Sequence, residues 1–174
     1  NMNLSCFYPL TIIMNNIYNY ICNLFLKKYK ECMYKRVFYD KMFFLSYGIH
    51  NVPWGEKTFH DLIYNLKYYL NIPYEVVIMS IIYMKRIYVK ELDINYYNIR
   101  NIFTICLMLS CKFLLDNKFP ILSFSKILNI PANYLFKMEI YILHLINYNL
   151  FISEDHYYQI FYIIKDYDKK IGYN

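Results

Sequence analysis

One helix-length run, residues 98–117, constrains the fold of this chain more than any other segment. The run is NIRNIFTICLMLSCKFLLDN, which is apolar on nearly every face of a helix and has one lysine, Lys112, near its far end. It is too interrupted by polar residues for a membrane span and too apolar for a surface helix. A helix that is hydrophobic all round belongs in the centre of a helical domain, where a lysine needs its ammonium group in water or against a partner.

Composition excludes several classes of protein. The chain has 174 residues, enough for one core of ordinary size, and its 58% of hydrophobic residues excludes disorder. Its three glycines, Gly48, Gly55 and Gly172, are too scattered to form a glycine-rich phosphate loop, which argues against kinases and dinucleotide enzymes. No stretch of about 18 residues is uninterruptedly apolar, so no membrane contact is expected.

No residue pattern indicates catalysis or metal binding. The four histidines lie in separate segments and have no ligand spacing: His50, His60, His144 and His156. The five cysteines are odd in number and include no CxxC pair, which favours reduced thiols in an intracellular protein of the nucleus or the cytoplasm. We therefore expect no metal, no cofactor and no catalytic residues.

Helical periodicity dominates after Trp54 and predicts an all-α fold without strands. Prolines and polar clusters separate the helix-length blocks. The predicted helices are residues 59–70 with Thr58 as the N-cap, 74–91 opened by Pro73, 98–117, 123–129, 132–149, and 153–165 with Ser153 as the N-cap. On the predicted inward face of the helix over 132–149 lie Leu135, Met138, Ile142, Leu145 and Ile146.

The first 55 residues predict a helical arm and connector rather than a domain, because they are too few to bury their own core. Residues 12–25 have amphipathic spacing, residues 38–45 suit a second helix, and residues 48–55 suit a connector. The basic run KKYKECMYKR, residues 27–36, is either a solvated helix face or a contact with an acidic partner. A single domain is then expected over 56–168, with a tail over 169–174.

Two charged residues stand out on predicted helices that are otherwise largely apolar, Lys112 and Glu139. In one interpretation they form an internal ion pair, or extend their charged heads to water past buried stems. In the other, both heads emerge at one edge of the bundle and bind the backbone of a partner. The sequence leaves both interpretations open.

Four short motifs occur in the order and spacing of a known family. They are IIYMKRI at 81–87, the central run that ends in CKFLLD, KME at 137–139, and INYNLFISED at 146–155. Together they resemble the cyclin box over roughly residues 59–164, and they are most similar to the P/U-type, or phosphate-response, cyclins. The central run aligns with the third cyclin helix without a gap.

The resemblance implies a five-helix cyclin box at 56–168 behind the N-terminal helical arm. It implies a regulatory subunit, not an enzyme, that forms a heterodimer with the catalytic subunit of a cyclin-dependent kinase and activates it by docking on the kinase C-helix. No direct contact with nucleic acid is expected. Carried over by position, the kinase-binding residues are Lys112, Phe113, Glu139, Leu143, Tyr148 and Leu150.

An alternative function remains open, a non-activating cyclin-fold scaffold in transcription or structural assembly. The formal net charge of +6 permits a basic face on DNA. The chain also departs from the family in its second helix, where Lys85 replaces the aspartate that many cyclins have before the arginine matched by Arg86. Its first helix lacks the MRAIL-like substrate-docking patch of cell-cycle cyclins.

Overall fold

The computed structural model describes residues 10–26, 55–89, 94, 98–115 and 121–167, and their regular structure is entirely helical. The prediction of an all-α fold is confirmed. A π-helical turn, Cys22–Leu26, continues the first helix. The α-helices are α1 (Leu10–Ile21), α2 (Glu56–Leu70), α3 (Tyr74–Val89), α4 (Ile99–Leu114), α5 (Ile121–Leu128), α6 (Ala132–Leu145) and α7 (Glu154–Lys165).

Helix α4 lies at the centre of the bundle, as its apolar sequence predicted. Every residue from Ile99 to Cys111 is buried. Two buried hydroxyl groups are satisfied within the helix: Thr104 donates to the carbonyl oxygen of Arg100 at 2.8 Å, and Ser110 donates to that of Cys106 at 2.9 Å. This local bonding lets polar residues occupy an apolar helix without a buried unpaired hydroxyl.

The neighbouring helices bury one face or most of their surface against α4. Helix α3 packs along it and is almost wholly buried through its middle. Helix α2 buries Phe59, Leu62, Ile63 and Leu66, and its Phe59 ring lies 5.4 Å from the ring of Phe103 in α4. Helix α6 also packs on α4, with Leu135, Met138 and Ile142 buried. On this inward face Ile146 is also buried, whereas Leu145 is half-buried.

The N-terminal helix α1 packs on the bundle and shares its core. Its Ile17 and Ile21 are fully buried in the same apolar cluster as α4. The Tyr18 ring lies 5.7 Å from that of Phe59 in α2, and Asn16 donates to the carbonyl oxygen of Lys165 in α7 at 3.3 Å. Ile12, predicted on the apolar face, is exposed instead. The arm helix is thus held by α2 and α7.

Several predicted helix ends differ from those observed. Helix α2 begins at Glu56, so Thr58 lies in its first turn, where its hydroxyl accepts the Gly55 N–H at 2.9 Å. Helix α5 begins at Ile121. Helix α6 ends at Leu145, four residues before its predicted end, because a turn with left-handed residues follows.

Other predictions about helix ends hold or fall outside the described residues. Ser153 caps α7, since its hydroxyl accepts the backbone N–H of His156 at 3.4 Å. Asn71, with a φ of 49°, ends α2 as predicted. The basic run at 27–36, the predicted helix at 38–45 and the tail at 169–174 lie outside the described residues.

Candidate functional site

The last turn of α4 leaves the core. Cys111 is fully buried, but the three residues after it are exposed, with Phe113 at 47% and Leu114 at 42% of full exposure. Both are large apolar side chains at the end of an otherwise buried helix. The end of α4 therefore presents apolar surface to solvent beside the ammonium group of Lys112.

An ion pair joins the end of α4 to α6. The Nζ atom of Lys112 lies 2.5 Å from Oε1 of Glu139. The two partners differ in burial: the Glu139 side chain is 8% exposed and that of Lys112 is 37% exposed. The internal ion pair is therefore observed. An ammonium group has three N–H donors, so the partly exposed Lys112 keeps donors for a partner while it neutralises a buried carboxylate.

Helix α6 contributes a stripe of residues on the same face as Glu139. Phe136 precedes Glu139 by three positions and Leu143 follows it by four, and residues at these spacings are neighbours on a helix surface. Phe136 is exposed, and Leu143 is half-buried against the core. The ion pair thus lies between two apolar side chains along α6.

The turn after α6 has an uncommon backbone. Asn147 and Tyr148 both have left-handed conformations, with φ of 53° and 55°. The Tyr148 N–H donates to the carbonyl oxygen of Leu143 at 2.8 Å, and its hydroxyl lies 3.1 Å from Nε2 of His144. A left-handed residue other than glycine costs about 1–3 kcal/mol, so the surrounding structure must hold this turn. The turn leaves the Tyr148 side chain exposed.

Helix α3 binds the segment that follows this turn. Arg86 donates from Nη1 to the carbonyl oxygen of Asn149 at 2.6 Å and from Nη2 to that of Phe151 at 2.8 Å. Between them, the Tyr83 hydroxyl donates to the carbonyl oxygen of Leu150 at 2.7 Å. Burial raises the pKa of the Tyr83 hydroxyl, which keeps it a neutral donor. Three successive carbonyl groups are therefore fixed by one helix.

The structure groups the six residues predicted to bind a kinase along α4, α6 and the turn. Lys112 and Glu139 form the ion pair, and Phe113 follows Lys112 on α4. Leu143, Tyr148 and Leu150 are linked through the backbone, because the Leu150 N–H also donates to the carbonyl oxygen of Tyr148 at 3.1 Å.

Sequence reasoning missed four residues near this group. Phe136 could have been found from its three-residue spacing to Glu139, and Phe151 from its position beside Leu150. The carbonyl bonds of Tyr83 and Arg86 leave no signature in the sequence, since every residue has a carbonyl group.

Other chemistry is limited in the described part of the chain. No group of three or more His, Cys, Asp or Glu residues there could hold a metal ion. Cys106 and Cys111 are free thiols, and burial raises the pKa of Cys111 to about 12 and that of Cys106 further, so both stay protonated. No helix among the described residues is long and apolar enough to cross a membrane.

Comparison with family models gave one match. Residues 51–151, more than half of the chain, match the family described as cyclin, N-terminal domain. The match includes α2 to α6 and the turn as far as Phe151. Such a domain is a regulatory fold rather than a catalytic one. Comparison with curated proteins and with solved structures gave no significant match.

Proposed function

The chain belongs to the cyclin family, and on this premise we propose that it is the regulatory subunit of a cyclin-dependent kinase. It forms a heterodimer with the catalytic subunit and activates that subunit by binding its C-helix. Within the family it is a P/U-type cyclin. The observation that supports this function best is the Lys112–Glu139 ion pair with apolar side chains on both of its helices.

The proposed docking surface consists of Lys112, Phe113, Glu139, Leu143, Tyr148 and Leu150. Phe113 and Tyr148 are exposed aromatic side chains, the residue class that supplies most binding energy at protein interfaces. Leu143 and Leu150 are half-buried against the core, so their positions are set before a partner arrives. Such a surface loses less side-chain entropy on binding than a flexible one.

The charged pair determines which backbone conformation of the kinase this surface binds. Glu139 fixes the Lys112 ammonium at 2.5 Å, and the remaining N–H donors of Lys112 bind backbone carbonyl groups of the kinase. The Glu139 carboxylate accepts a backbone N–H from the same segment of the kinase. Truncating one partner of such a desolvated contact costs about 2–5 kcal/mol of binding energy. A kinase segment whose backbone does not place its N–H and C=O groups at matching positions binds weakly.

Activation follows from differential binding to two kinase conformations. A kinase with its C-helix swung outward lacks an ion pair of its own, between a lysine and a glutamate of the C-helix, that phosphoryl transfer requires. A partner that binds only the inward conformation shifts the population toward it. Moving the equilibrium from 1:99 to 99:1 requires about a 10⁴-fold preference, or ~5.5 kcal/mol. Truncation of a single hot-spot contact commonly costs about 2 kcal/mol or more, so a few contacts made only with the inward conformation reach the size of preference required.

A panel of purified cyclin-dependent kinase catalytic subunits tests the proposal. Each kinase is mixed with the wild-type chain, with the Lys112→Ala/Glu139→Ala double variant, or with Tyr68→Ala, an exposed tyrosine on α2. We expect the wild type and Tyr68→Ala to bind one kinase and raise its histone phosphorylation, and the double variant to do neither while remaining helical by circular dichroism. Failure of the folded wild type to bind any kinase contradicts the proposal and favours the scaffold alternative.

A further inference from the structure

We infer that Phe151 is an additional kinase-contacting residue and that Arg86 positions it, a role that rests on the proposed function. Phe151 is 70% exposed, more than any other exposed phenylalanine among the described residues. Exposure of one apolar side chain is ordinary on a protein surface. Phe151 differs because Arg86 on α3 donates a hydrogen bond to its backbone carbonyl oxygen.

The guanidinium group of Arg86 binds both ends of the segment that includes Phe151. Its two terminal nitrogens donate to the carbonyl oxygens of Asn149 and Phe151 at 2.6 and 2.8 Å, so one rigid planar group fixes the distance between them. Tyr83 fixes the carbonyl group in between. The Arg86 guanidinium also lies 5.8 Å from the centre of the Tyr83 ring, which ties the two donors to each other.

The segment that includes Phe151 is held in one conformation although the Phe151 side chain is exposed. The segment leads out of a turn with two consecutive left-handed residues, Asn147 and Tyr148, and three side-chain hydrogen bonds from α3 hold the residues that follow. A surface segment with an exposed aromatic residue gains affinity when it is held in one conformation, because little freedom remains to be lost on binding.

The position of Phe151 fits the docking surface. It follows Leu150 directly, and consecutive Cα atoms are about 3.8 Å apart, so its backbone lies beside a residue of the surface. Phe151 is thus an aromatic anchor at the rim of the surface, and Arg86 is a positioning residue that does not itself touch the kinase. The turn and the segment after it form a single preorganised contact element.

A double-mutant cycle tests both parts of this inference. The dissociation constant is measured with the kinase that the panel identifies, for the wild type, Arg86→Lys, Phe151→Ala and the double variant. Tyr68→Ala, which truncates another exposed aromatic side chain, is the matched control. We expect Phe151→Ala to weaken binding about tenfold, which corresponds to ~1.4 kcal/mol. Lysine keeps the charge but provides a single point donor, so Arg86→Lys should weaken binding several-fold.

The double variant tests whether Arg86 affects binding through Phe151. If Arg86 acts in part through Phe151, the loss of affinity caused by Arg86→Lys is smaller in the Phe151→Ala background than in the wild type, because coupled positions are not additive. Hydrogen exchange of amides 148–151 in the free protein should also be faster in Arg86→Lys than in the wild type. Additive losses, or unchanged exchange, overturn the role of Arg86, and unchanged affinity of Phe151→Ala overturns the role of Phe151.

The outcomes for the wild type separate the two proposals. A wild-type chain that binds the kinase beside a Phe151→Ala variant of equal affinity leaves the proposed function intact and overturns only this inference. A folded wild-type chain that binds none of the kinases overturns the proposed function and the inference together.

Discussion

The body of α4 and its last turn belong to one helix, but the body is buried and the last turn is exposed. From Ile99 to Cys111 every residue is buried, whereas the next three, including Lys112 and Phe113, are exposed. The first region makes the apolar core and determines whether the bundle folds. The second region presents charge and aromatic surface in a position that the first region fixes. We therefore expect stability and binding to be separable along a single helix.

A second comparison shows that exposed aromatic residues alone do not identify a binding surface. Tyr64 and Tyr68 on α2 are both about two-thirds exposed, and their rings stack at 6.2 Å. The Lys112–Glu139 salt bridge joins α4 and α6 and is not on α2. The α4 and α6 surface differs in its ion pair and in the hydrogen bonds that fix its turn. Substitutions in each region should separate the two kinds of surface.

The largest effect is expected in the body of α4. Phe103→Ala should lower the free energy of unfolding by about 3–5 kcal/mol, because it removes a fully buried ring that packs on Phe59 and leaves a cavity. Urea denaturation measures this loss. Phe136→Ala, which truncates an exposed ring on α6, is the matched control and should change stability by less than about 0.5 kcal/mol. Equal losses of unfolding free energy in the two variants would contradict the distinction between the buried body of α4 and the exposed surface.

A smaller and asymmetric effect is expected at the ion pair. Lys112→Ala leaves the buried carboxylate of Glu139 unpaired, and we expect a loss of about 1–3 kcal/mol in unfolding free energy. Glu139→Ala leaves an ammonium group that is more than a third exposed and reaches water, so the loss should stay below about 1 kcal/mol. The two variants are compared by urea denaturation at neutral pH. A larger loss for Glu139→Ala would contradict the observed difference in burial.

At Phe113 the effect should appear in binding and not in stability. Phe113→Ala should weaken kinase binding about tenfold, since it removes an exposed aromatic contact, and should change unfolding free energy by less than about 0.5 kcal/mol. Isothermal titration calorimetry beside thermal unfolding measures both quantities. Tyr68→Ala serves as the control and should alter neither. Loss of stability without loss of affinity would place Phe113 with the core.

The smallest effect is a pH dependence at His156 in α7. Burial, and then the charges of Arg86 and Lys85, lower the pKa of this imidazole in the folded protein. The unfolded chain therefore binds the proton more readily, and the stability that His156 contributes is lost as pH falls below about 6.5. The melting temperature of the wild type relative to His156→Gln should drop between pH 8 and pH 5. A constant difference would contradict the shift.

The sequence was sufficient for features that depend on local periodicity and charge. The central position of α4 followed from its apolar run and the Ser153 cap from its residue type, and the Lys112–Glu139 pair was one of two interpretations that the sequence left open. These features depend on residue type at fixed spacing, which a sequence displays directly.

Features that depend on backbone conformation or long-range contacts were not predictable in this way. Helix α6 ends early because Asn147 and Tyr148 turn left-handed without a glycine to mark the turn. The Arg86 bonds go to carbonyl groups 63 and 65 residues away. The bond that holds the backbone of Phe151 could be seen only in three dimensions, although its position beside Leu150 was visible in the sequence.

Hydrogen exchange of the chain, free and bound to the kinase that it activates, tests the central claim most directly. We predict that binding slows amide exchange at residues 112–115 and 143–151 and leaves the α2 segment around Tyr68 unchanged. The body of α4 is slow in both states because it is buried. Protection confined to α1 or α2, with residues 143–151 unchanged, would contradict the assignment of the docking surface.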